Sequence, residues 1–464
     1  MKILYYNWAP LIEGGIGGGV AVYMRNLLRF ISSNPSYEFE TVFLSSGYYY
    51  DNNKNVYLRR EANYEGTRVY SIVNSPVMAP LSTMISQLDT IHGDKKIQAI
   101  FEELFMKEGV FDVVHLQTFE GISPNVLSLK MKYPQTKFIH SIHDYGIVCP
   151  NVRLWRICGE NCYLHKQPYR CQKCMSYLLR YSPDYFKLGR PANDRAVSPP
   201  ISYLSKVKYR ILRGMKMVRE RLHKTAEKYF GDFRNHNILM INQYSDMELC
   251  VSKRVAEIAA YYGINKSIIY VDYIGTLVAE KALGHCRSNP FSASFTVLFM
   301  GYAMPEKGFF MFMEALEEME ESMSKGISLK IASRVENQDI KKRIKKLSAR
   351  FQSVTLYDGY THDDFSKIME DVNIGVVPPL WEDNLPQVAI EMIANGIPVL
   401  TGKNGGAQEL NTHPMFCFEN KADLNYKITK IMSIRSLLSD YWRYARTLVT
   451  MQQHIENLRY IYNI

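Results

Sequence analysis

The sequence predicts an α/β protein with two doubly wound domains. Short apolar runs typical of buried parallel strands alternate with helical patterns, and this alternation occurs twice along the 464 residues. A chain of this length also exceeds what one hydrophobic core usually supports, so we expect two or three domains. Alternating strands and helices form parallel sheets with helices on both faces.

The strand runs are easily recognised in both halves. In the first half they are KILYYNW, ETVFLSS, DVVHLQ, KFIHSIHDY and, before the domain boundary, SIIYVDYIG; in the second half they are FTVLFMG, ISLKIAS, VTLYDGY, NIGVVPP and IPVLTG. The first helical pattern follows the first run, and its apolar positions share one face: Val20, Met24, Leu27 and Ile31. We predict an N-terminal domain over residues 1–280, a C-terminal domain over 281–439 and a terminal helix over 440–464 that packs back on the N-terminal domain.

Charge and hydropathy restrict the expected partners and location. The formal net charge of +10 favours an anionic partner such as nucleotide phosphates, nucleic acid or an acidic membrane face. No recognisable nucleic-acid-binding module is present, so we do not expect nucleic acid. No run is long and uncharged enough to cross a bilayer, and the N-terminal MKILYYNWAP is typical of a first strand rather than a signal peptide. We therefore expect a cytoplasmic protein.

The segment PPLWEDNLPQVAIEMIANGIPVL predicts a helix with a polar stripe. Pro386 suits the first turn of a helix, and Gly396 suits the position just past its end. Gln387, Glu391 and Asn395 recur every fourth residue and therefore share a face. The start of a helix favours phosphate, whereas a carboxylate along it would rather accept hydrogen bonds from sugar hydroxyls. The stripe faces either a ligand cleft or solvent.

Three further strand–helix turns carry glycines. In FMGYAMPEKGFFMFMEAL a strand ends at Gly301, and a loop with Lys307 leads to a helix near Gly308. Backbone donors and one cation at such a turn could bind a diphosphate. The stretches LTGKNGGAQEL and EGGIGGGVAVY supply the other turns, although the second lacks the full context of a dinucleotide fingerprint. All of these turns lie at carboxyl ends of strands, where ligands bind in open α/β sheets.

Together these motifs resemble glycosyltransferase family 4, whose members have the GT-B fold. DNLPQVAIE, from Asp383 to Glu391, is similar to the family's E-x7-E motif, and GYAMPEKG to its GRL-PEKG loop. GGGVAVYMRNL and SIHDYGIVCP resemble its N-terminal glycine loop and an HDYW–CP pattern. The resemblance covers most of the chain except residues 178–236. It implies two facing Rossmann-like domains with parallel sheets and an inter-domain cleft. It also implies retaining, metal-independent transfer of a sugar from a nucleotide-diphosphate sugar to a glycan or lipid-linked acceptor.

The resemblance also implies roles for individual residues. Glu391 would hold the ribose hydroxyls of the donor, Asp383 would lie near its sugar and phosphates, and Lys307 would neutralise the leaving diphosphate. His143 would line the donor sugar, unless it is an ordinary histidine at a strand end. The implied catalytic residues are His143, Lys307 and Asp383. The implied donor-binding residues are Gly18, Gly19, Gly301, Lys307, Asp383, Asn384, Leu385 and Glu391.

The sequence departs from the family pattern at two positions. Tyr302 stands where the family has an arginine, for which Arg334 or Lys403 could substitute. Asp383 is one methylene shorter than glutamate, and Glu382 is its neighbour. These departures favour a second hypothesis, a catalytically weak GT-B subunit that binds nucleotide or a partner glycosyltransferase. We expect an active enzyme, because three residues of the pattern are retained: Lys307, His143 and Glu391.

A cysteine-rich loop spans residues 149–174 and contains five of the eight cysteines. Four of these have a C-x3-C and C-x2-C spacing that could hold a structural zinc ion: Cys158, Cys162, Cys171 and Cys174. Reduced cysteines in a loop are the alternative.

A basic helix is predicted inside an insert over residues 178–236. In SYLSKVKYRILRGMKMVRERLHK the apolar side chains lie on one face of a helix and eight lysines and arginines decorate the rest. Such a helix suits an anionic membrane surface, which would place the protein on the inner face of the cell membrane. The acceptor would then be lipid-linked, as in bacterial surface polysaccharide biosynthesis. The alternative is a helix that faces the core and has a solvated basic side.

Overall fold

The computed structural model divides the chain into two compact units. The N-terminal unit comprises Met1–Ile157, Tyr163–Cys250 and Ala256–Tyr270, and the C-terminal unit comprises Cys158–Cys162, Val251–Val255 and Val271–Ile464. The structure describes residues 1–12, 18–53, 55–77, 79, 95–156, 159–162, 171, 226–292, 294–360 and 364–463.

The first sheet has eight strands in the order β3-β4-β2-β1-β5-β6-β7-β8. Their bounds are β1 (Lys2–Tyr6), β2 (Glu40–Tyr49), β3 (Tyr57–Arg60), β4 (Arg68–Val73), β5 (Val113–Leu116), β6 (Lys137–Ile142), β7 (Met247–Cys250) and β8 (Ile269–Val271). The neighbours from β4 to β7 pair in parallel, whereas β3 pairs antiparallel with β4 at the edge.

The second sheet has six strands, all parallel, in the order β11-β10-β9-β12-β13-β14. Their bounds are β9 (Phe295–Met300), β10 (Ile327–Ala332), β11 (Ser353–Tyr357), β12 (Ile374–Val377), β13 (Val399–Gly402) and β14 (Cys417–Phe418). This is the strand order of a Rossmann fold, in which the chain reverses direction across the sheet after its third strand.

Helices connect the strands in both units. The α-helices of the described residues are α1 (Gly18–Ser33), α2 (Lys96–Glu108), α3 (Ala226–Tyr244), α4 (Lys253–Tyr262), α5 (Phe309–Glu318), α6 (Glu321–Ser324), α7 (Gln338–Leu347), α8 (Phe365–Met369), α9 (Gln387–Ala394), α10 (Lys421–Ser433), α11 (Ser436–Tyr444) and α12 (Met451–Asn463). Short 3₁₀ helices occupy Pro35–Tyr37, Pro124–Met131, Lys266–Ile268, Leu277–Lys281, Gly405–Leu410 and Pro414–Phe416.

The core of the C-terminal unit forms around its central strand. Every residue of β9, sequence FTVLFM, is buried, because helices cover both faces of a parallel sheet. Phe299 on this strand stacks on Phe312 of α5, with ring centroids 5.4 Å apart, and meets Phe309 edge-on at 5.2 Å. These aromatic contacts fix α5 against β9 and therefore fix the loop that joins them.

In each sheet there is one pair of neighbouring strands from which the following connections run toward opposite edges of the sheet. In the first sheet this pair is β1 and β5, and in the second β9 and β12. Loops that follow such a pair of strands diverge and leave a crevice at the carboxyl edge, which is where open α/β sheets bind ligands. The loops after β9 and β12 are those that carry Lys307 and Asp383.

The predicted α/β class with two largely parallel sheets is confirmed. The sequence patterns missed β3, β4, β7 and β14. Strand β7 (MELC) was missed because it buries Glu248, whose carboxylate pairs with His140 of β6 at 2.7 Å and interrupts the apolar run. The predicted basic helix lies outside the described residues. In the part of the chain that the structure describes, no helix has the length and apolar character that a membrane crossing requires.

Candidate active site

Two loops meet at the carboxyl edge of the second sheet, after β9 and after β12. The N–H of Leu380 donates to the carbonyl of Glu306 at 2.9 Å, which ties one loop to the other. Gly308 has a φ of +73°, and a Cβ at this position would lie 1.7 Å from the carbonyl oxygen of Pro378. Only glycine therefore permits this approach, which brings the Lys307 loop and the Asp383 loop together.

Lys307 and Asp383 form an ion pair where these loops meet. The Lys307 Nζ lies 2.7 Å from the Asp383 Oδ2, and the same oxygen accepts a hydrogen bond from the Trp381 indole N–H at 3.1 Å. The ammonium group also lies 4.8 Å from the centroid of the Trp381 ring. Asp383 is buried, whereas one third of the Lys307 side chain is exposed. The lysine is thus held by a carboxylate and an aromatic ring while it remains open to a ligand.

The neighbouring carboxylate, Glu382, has a different environment. Both of its oxygens accept from the Arg254 guanidinium at 2.9 Å, and Oε2 also accepts from the backbone N–H of Gly405 at 2.9 Å. The Asn161 side chain adds a longer contact of 3.4 Å. Glu382 is therefore a buried anchor within the C-terminal unit, and it is Asp383 that meets Lys307.

A third turn, after β13, packs under Asp383. The N–H of Gly406 donates to the Asp383 carbonyl at 2.7 Å. Gly405 has a φ of +70°, and a Cβ there would lie 2.1 Å from the same carbonyl oxygen. A Cβ on Gly406 would lie 2.2 Å from the carbonyl of Asn384. The two glycines thus allow the backbone of residues 383–384 to pack directly against this turn. Asn384 and Leu385 are buried.

Helix α9 carries the predicted polar stripe. It runs from Gln387 to Ala394 with Pro386 at its N-cap, close to the predicted bounds. Its apolar face is buried, whereas Glu391 is half-buried. Burial raises the pKa of the Tyr360 phenol, and the negative charge of nearby Glu391 raises it further. Glu391 thus lies beside a tyrosine that follows β11 and stays neutral. Tyr302, which follows Gly301, is 60% exposed.

The predicted residues of the N-terminal unit gather at the carboxyl edge of the first sheet. Gly18 and Gly19 are exposed and begin α1, and Gly18 has a φ of +61°. Tyr23, one turn further along, places its ring 5.4 Å from that of His143, which follows β6. The His143 Nε2 lies 2.9 Å from the Gln117 Oε1. Burial raises the pKa of the neighbouring Asp144.

Several residues of these environments were not predicted. Trp381 lies two residues before the motif that begins at Asp383, and Gln117 ends the run DVVHLQ, so position after a strand end could have identified both. The Arg254 partner of Glu382 lies 128 residues away and has no local signal.

The zinc prediction stays a prediction. Cys158 and Cys174 lie outside the described residues, whereas Cys162 and Cys171 lie within them. Among the residues that the structure describes, no group of three or more potential ligands could hold a metal ion.

Comparisons with solved structures define the fold. HepE of Anabaena, in a structure titled as a complex with UDP and glucose, superimposes with a TM-score of 0.57 at 11% identity, covering 100% of this chain and 99% of that one. Sucrose-phosphate synthase of Thermosynechococcus elongatus gives 0.57 at 14% identity, with 100% and 98% covered. The lipopolysaccharide outer core galactosyltransferase WaaB in its apo form gives 0.55 at 11% identity, with 100% of both chains covered. The fold is therefore that of the GT-B glycosyltransferases.

A protein-family model matches part of the chain. Residues 287–448 match the model described as glycosyl transferases group 1, and this range includes Lys307, Asp383 and Glu391. No curated protein matches the sequence. The group 1 domain together with the GT-B fold indicates a glycosyltransferase.

Proposed function

We propose that the protein is a retaining glycosyltransferase that moves a sugar from a nucleotide-diphosphate sugar to a glycan or lipid-linked acceptor. The observation that carries this proposal is the Lys307–Asp383 pair at the point where the second sheet reverses direction. Departure of a nucleoside diphosphate develops negative charge, and a fixed cation in a partly buried site stabilises that charge. HepE, with the same fold, is titled as a complex with UDP and glucose, which supports a nucleotide-sugar donor.

In this proposal the predicted side chains have distinct tasks. Lys307 would neutralise the diphosphate, so that the transfer would proceed without a metal ion. Asp383 would hold Lys307 in position and accept a hydrogen bond from the donor sugar. Glu391, half-buried on α9, would accept from the ribose hydroxyls. His143 of the N-terminal unit would line the donor sugar.

The predicted basic helix supports the lipid-linked form of the acceptor. An amphipathic helix rich in lysine and arginine would hold the enzyme on an anionic membrane, where a lipid-linked acceptor lies. WaaB, which shares the fold, is titled a lipopolysaccharide outer core galactosyltransferase, and this supports a place in bacterial surface polysaccharide biosynthesis.

Replacement of Lys307 by alanine tests the proposal. We expect the transfer rate of Lys307→Ala to fall by about 100-fold or more, because one preorganised charge at the leaving group is lost. The melting temperature should change little, since the lysine is one-third exposed and its pair with Asp383 is weakly stabilising. Thermal-shift screening with UDP, GDP, ADP and their sugars first identifies the donor, and radiolabelled transfer then measures the rate.

Lys421→Ala is the matched control, because Lys421 also pairs with a carboxylate, Glu318, but on the outer helices α10 and α5. Unchanged turnover in Lys307→Ala would contradict the assignment. The anomeric configuration of the product, followed by NMR from the start of the reaction, distinguishes retention from inversion.

A weaker enzyme is the second candidate, and Tyr302 is the observation that favours it. This exposed tyrosine stands where the resemblance implies an arginine. The cations considered as substitutes, Arg334 and Lys403, follow β10 and β13 and are exposed, and Lys403 already lies 3.6 Å from Glu419. A subunit that binds nucleotide or a partner glycosyltransferase without transferring sugar would show a thermal shift with nucleotide but no donor hydrolysis.

A further inference from the structure

Gln117 is a buried amide at the carboxyl edge of the first sheet. It follows β5 directly, and its backbone N–H donates to the Tyr6 carbonyl at 2.9 Å, which continues the parallel ladder by one residue. Its side chain is fully buried, and the side-chain Oε1 lies 2.9 Å from the His143 Nε2. The amide therefore contacts His143 from inside the protein, whereas His143 itself is only half-buried.

A second contact restricts the same imidazole. The buried Tyr23 ring of α1 lies 5.4 Å from the His143 ring at an angle of 48°. A ring that is held at one nitrogen and packed on one side by an aromatic residue has little freedom to rotate. Because Gln117 engages Nε2 from inside the protein, a ligand would meet the imidazole at another part of its edge.

Stability alone does not explain a glutamine at this position. The Gln117 Nε2 is buried and has no hydrogen-bond partner in the described part of the protein. The same is true of both side-chain amide atoms of Asn7, at the end of the adjacent strand β1. Burial of an unpaired amide donor costs about 1–3 kcal/mol, which an apolar side chain of similar volume would avoid.

We infer that Gln117 is a positioning residue for His143, because its side-chain carbonyl accepts from Nε2–H and so fixes both the tautomer and the orientation of the imidazole. This inference rests on the proposed function, in which His143 lines the donor sugar. Gln117 does not touch the reacting atoms. It determines which nitrogen of His143 carries the proton and how the ring is oriented.

The first test observes the imidazole without any substrate. In ¹⁵N-histidine-labelled protein, long-range ¹H–¹⁵N spectra distinguish Nε2–H from Nδ1–H. We expect Nε2–H for His143 in the wild type, mixed tautomers in Gln117→Leu, and Nε2–H again in Gln117→Glu, which keeps an acceptor of the same shape. An Nδ1–H wild type, or a Gln117→Leu spectrum identical to the wild type, would overturn the inference.

The second test measures transfer. We expect Gln117→Leu to lower kcat about tenfold, which corresponds to the loss of one hydrogen bond, and to change the donor KM less. We expect Gln117→Glu to recover most of the lost kcat. An unchanged kcat in Gln117→Leu would refute the positioning role. If the leucine variant does not fold, failure of Gln117→Glu to keep the Nε2–H form refutes the inference instead.

Ser141→Ala is the matched control. The Ser141 hydroxyl lies 2.8 Å from the His115 Nε2 between the same two strands and is also buried. The Ser141 backbone carbonyl accepts from the His143 N–H at 3.1 Å, and alanine keeps this bond. We expect Ser141→Ala to leave the His143 signals and kcat unchanged. If Lys307→Ala retains full activity, the proposed function fails, while the spectra still decide the tautomer of His143 independently.

Discussion

At the scale of single residues, two adjacent carboxylates have different environments, from which we predict different tasks. Glu382 lies between the Arg254 guanidinium and the Gly405 N–H, and it is almost fully buried. Asp383 meets Lys307 and the Trp381 indole at the edge of the sheet. A buried ion pair that loses one partner leaves an uncompensated charge, whereas a partly exposed pair contributes little to stability.

Isosteric amides at these two positions should therefore affect different properties: stability at Glu382 and transfer at Asp383. We expect Glu382→Gln to lower the free energy of unfolding by about 2 kcal/mol, because Arg254 loses its counter-charge. We expect Asp383→Asn to change stability by less than about 1 kcal/mol but to reduce transfer about 100-fold. Denaturant unfolding and transfer assays on both variants check this, and a stability loss in Asp383→Asn as large as in Glu382→Gln would contradict the division of roles.

At the scale of elements, glycines allow the loops at the carboxyl edge of the second sheet to touch. Gly308 and Gly405 both have positive φ, and a Cβ on either would overlap a backbone carbonyl of a neighbouring loop. Backbone carbonyls cannot move aside as flexible side chains can. The turns after β9, β12 and β13 therefore depend on glycine for their mutual approach.

Alanine at Gly308 should separate these loops. We expect Gly308→Ala to lower the free energy of unfolding by more than about 3 kcal/mol, because the overlap with Pro378 adds to the cost of positive φ. Gly18→Ala is the control: Gly18 also has positive φ, but a Cβ there would have no atom within 4 Å, so a loss of about 1 kcal/mol is expected. Equal losses measured by urea denaturation would show that close approach is not the cause.

At the scale of the whole molecule, the chain combines two α/β units with an insert of different character. Each sheet places its predicted residues at its carboxyl edge, next to the point where the strand order reverses. The insert over residues 178–236 supplies a strongly basic sequence, and the chain as a whole carries a formal charge of +10. These features predict a membrane-associated enzyme in which nucleotide binding and surface binding use separate parts of the chain.

Sedimentation with lipid vesicles tests the membrane prediction. We expect the protein to bind anionic vesicles and to dissociate as salt is raised, because each basic residue near the surface contributes about 1 kcal/mol. Replacing Lys206, Lys208 and Lys216 by alanine should weaken binding at least tenfold. The control replaces Lys342, Lys345 and Lys346 of helix α7, which is also rich in lysine. Equal binding to neutral vesicles, or equal loss in both triple variants, would contradict the prediction.

The sequence alone determined the α/β class and the positions of the glycine turns, because strand runs and turn glycines are local signals. It also identified the helix at residues 387–394 almost to its ends, since Pro386 and Gly396 bracket it. The sequence did not predict the edge strand β3, which is polar, or strand β7, which buries a glutamate beside a histidine.

Only the tertiary structure decided which groups meet. The resemblance selected Asp383 rather than Glu382, but the partners that distinguish the two carboxylates lie up to 128 residues away and have no local signal. It selected His143 but not the Gln117 beside it, since the two belong to neighbouring strands and are 26 residues apart. Pairing between side chains distant in the chain depends on strand order and register, and a local pattern contains neither.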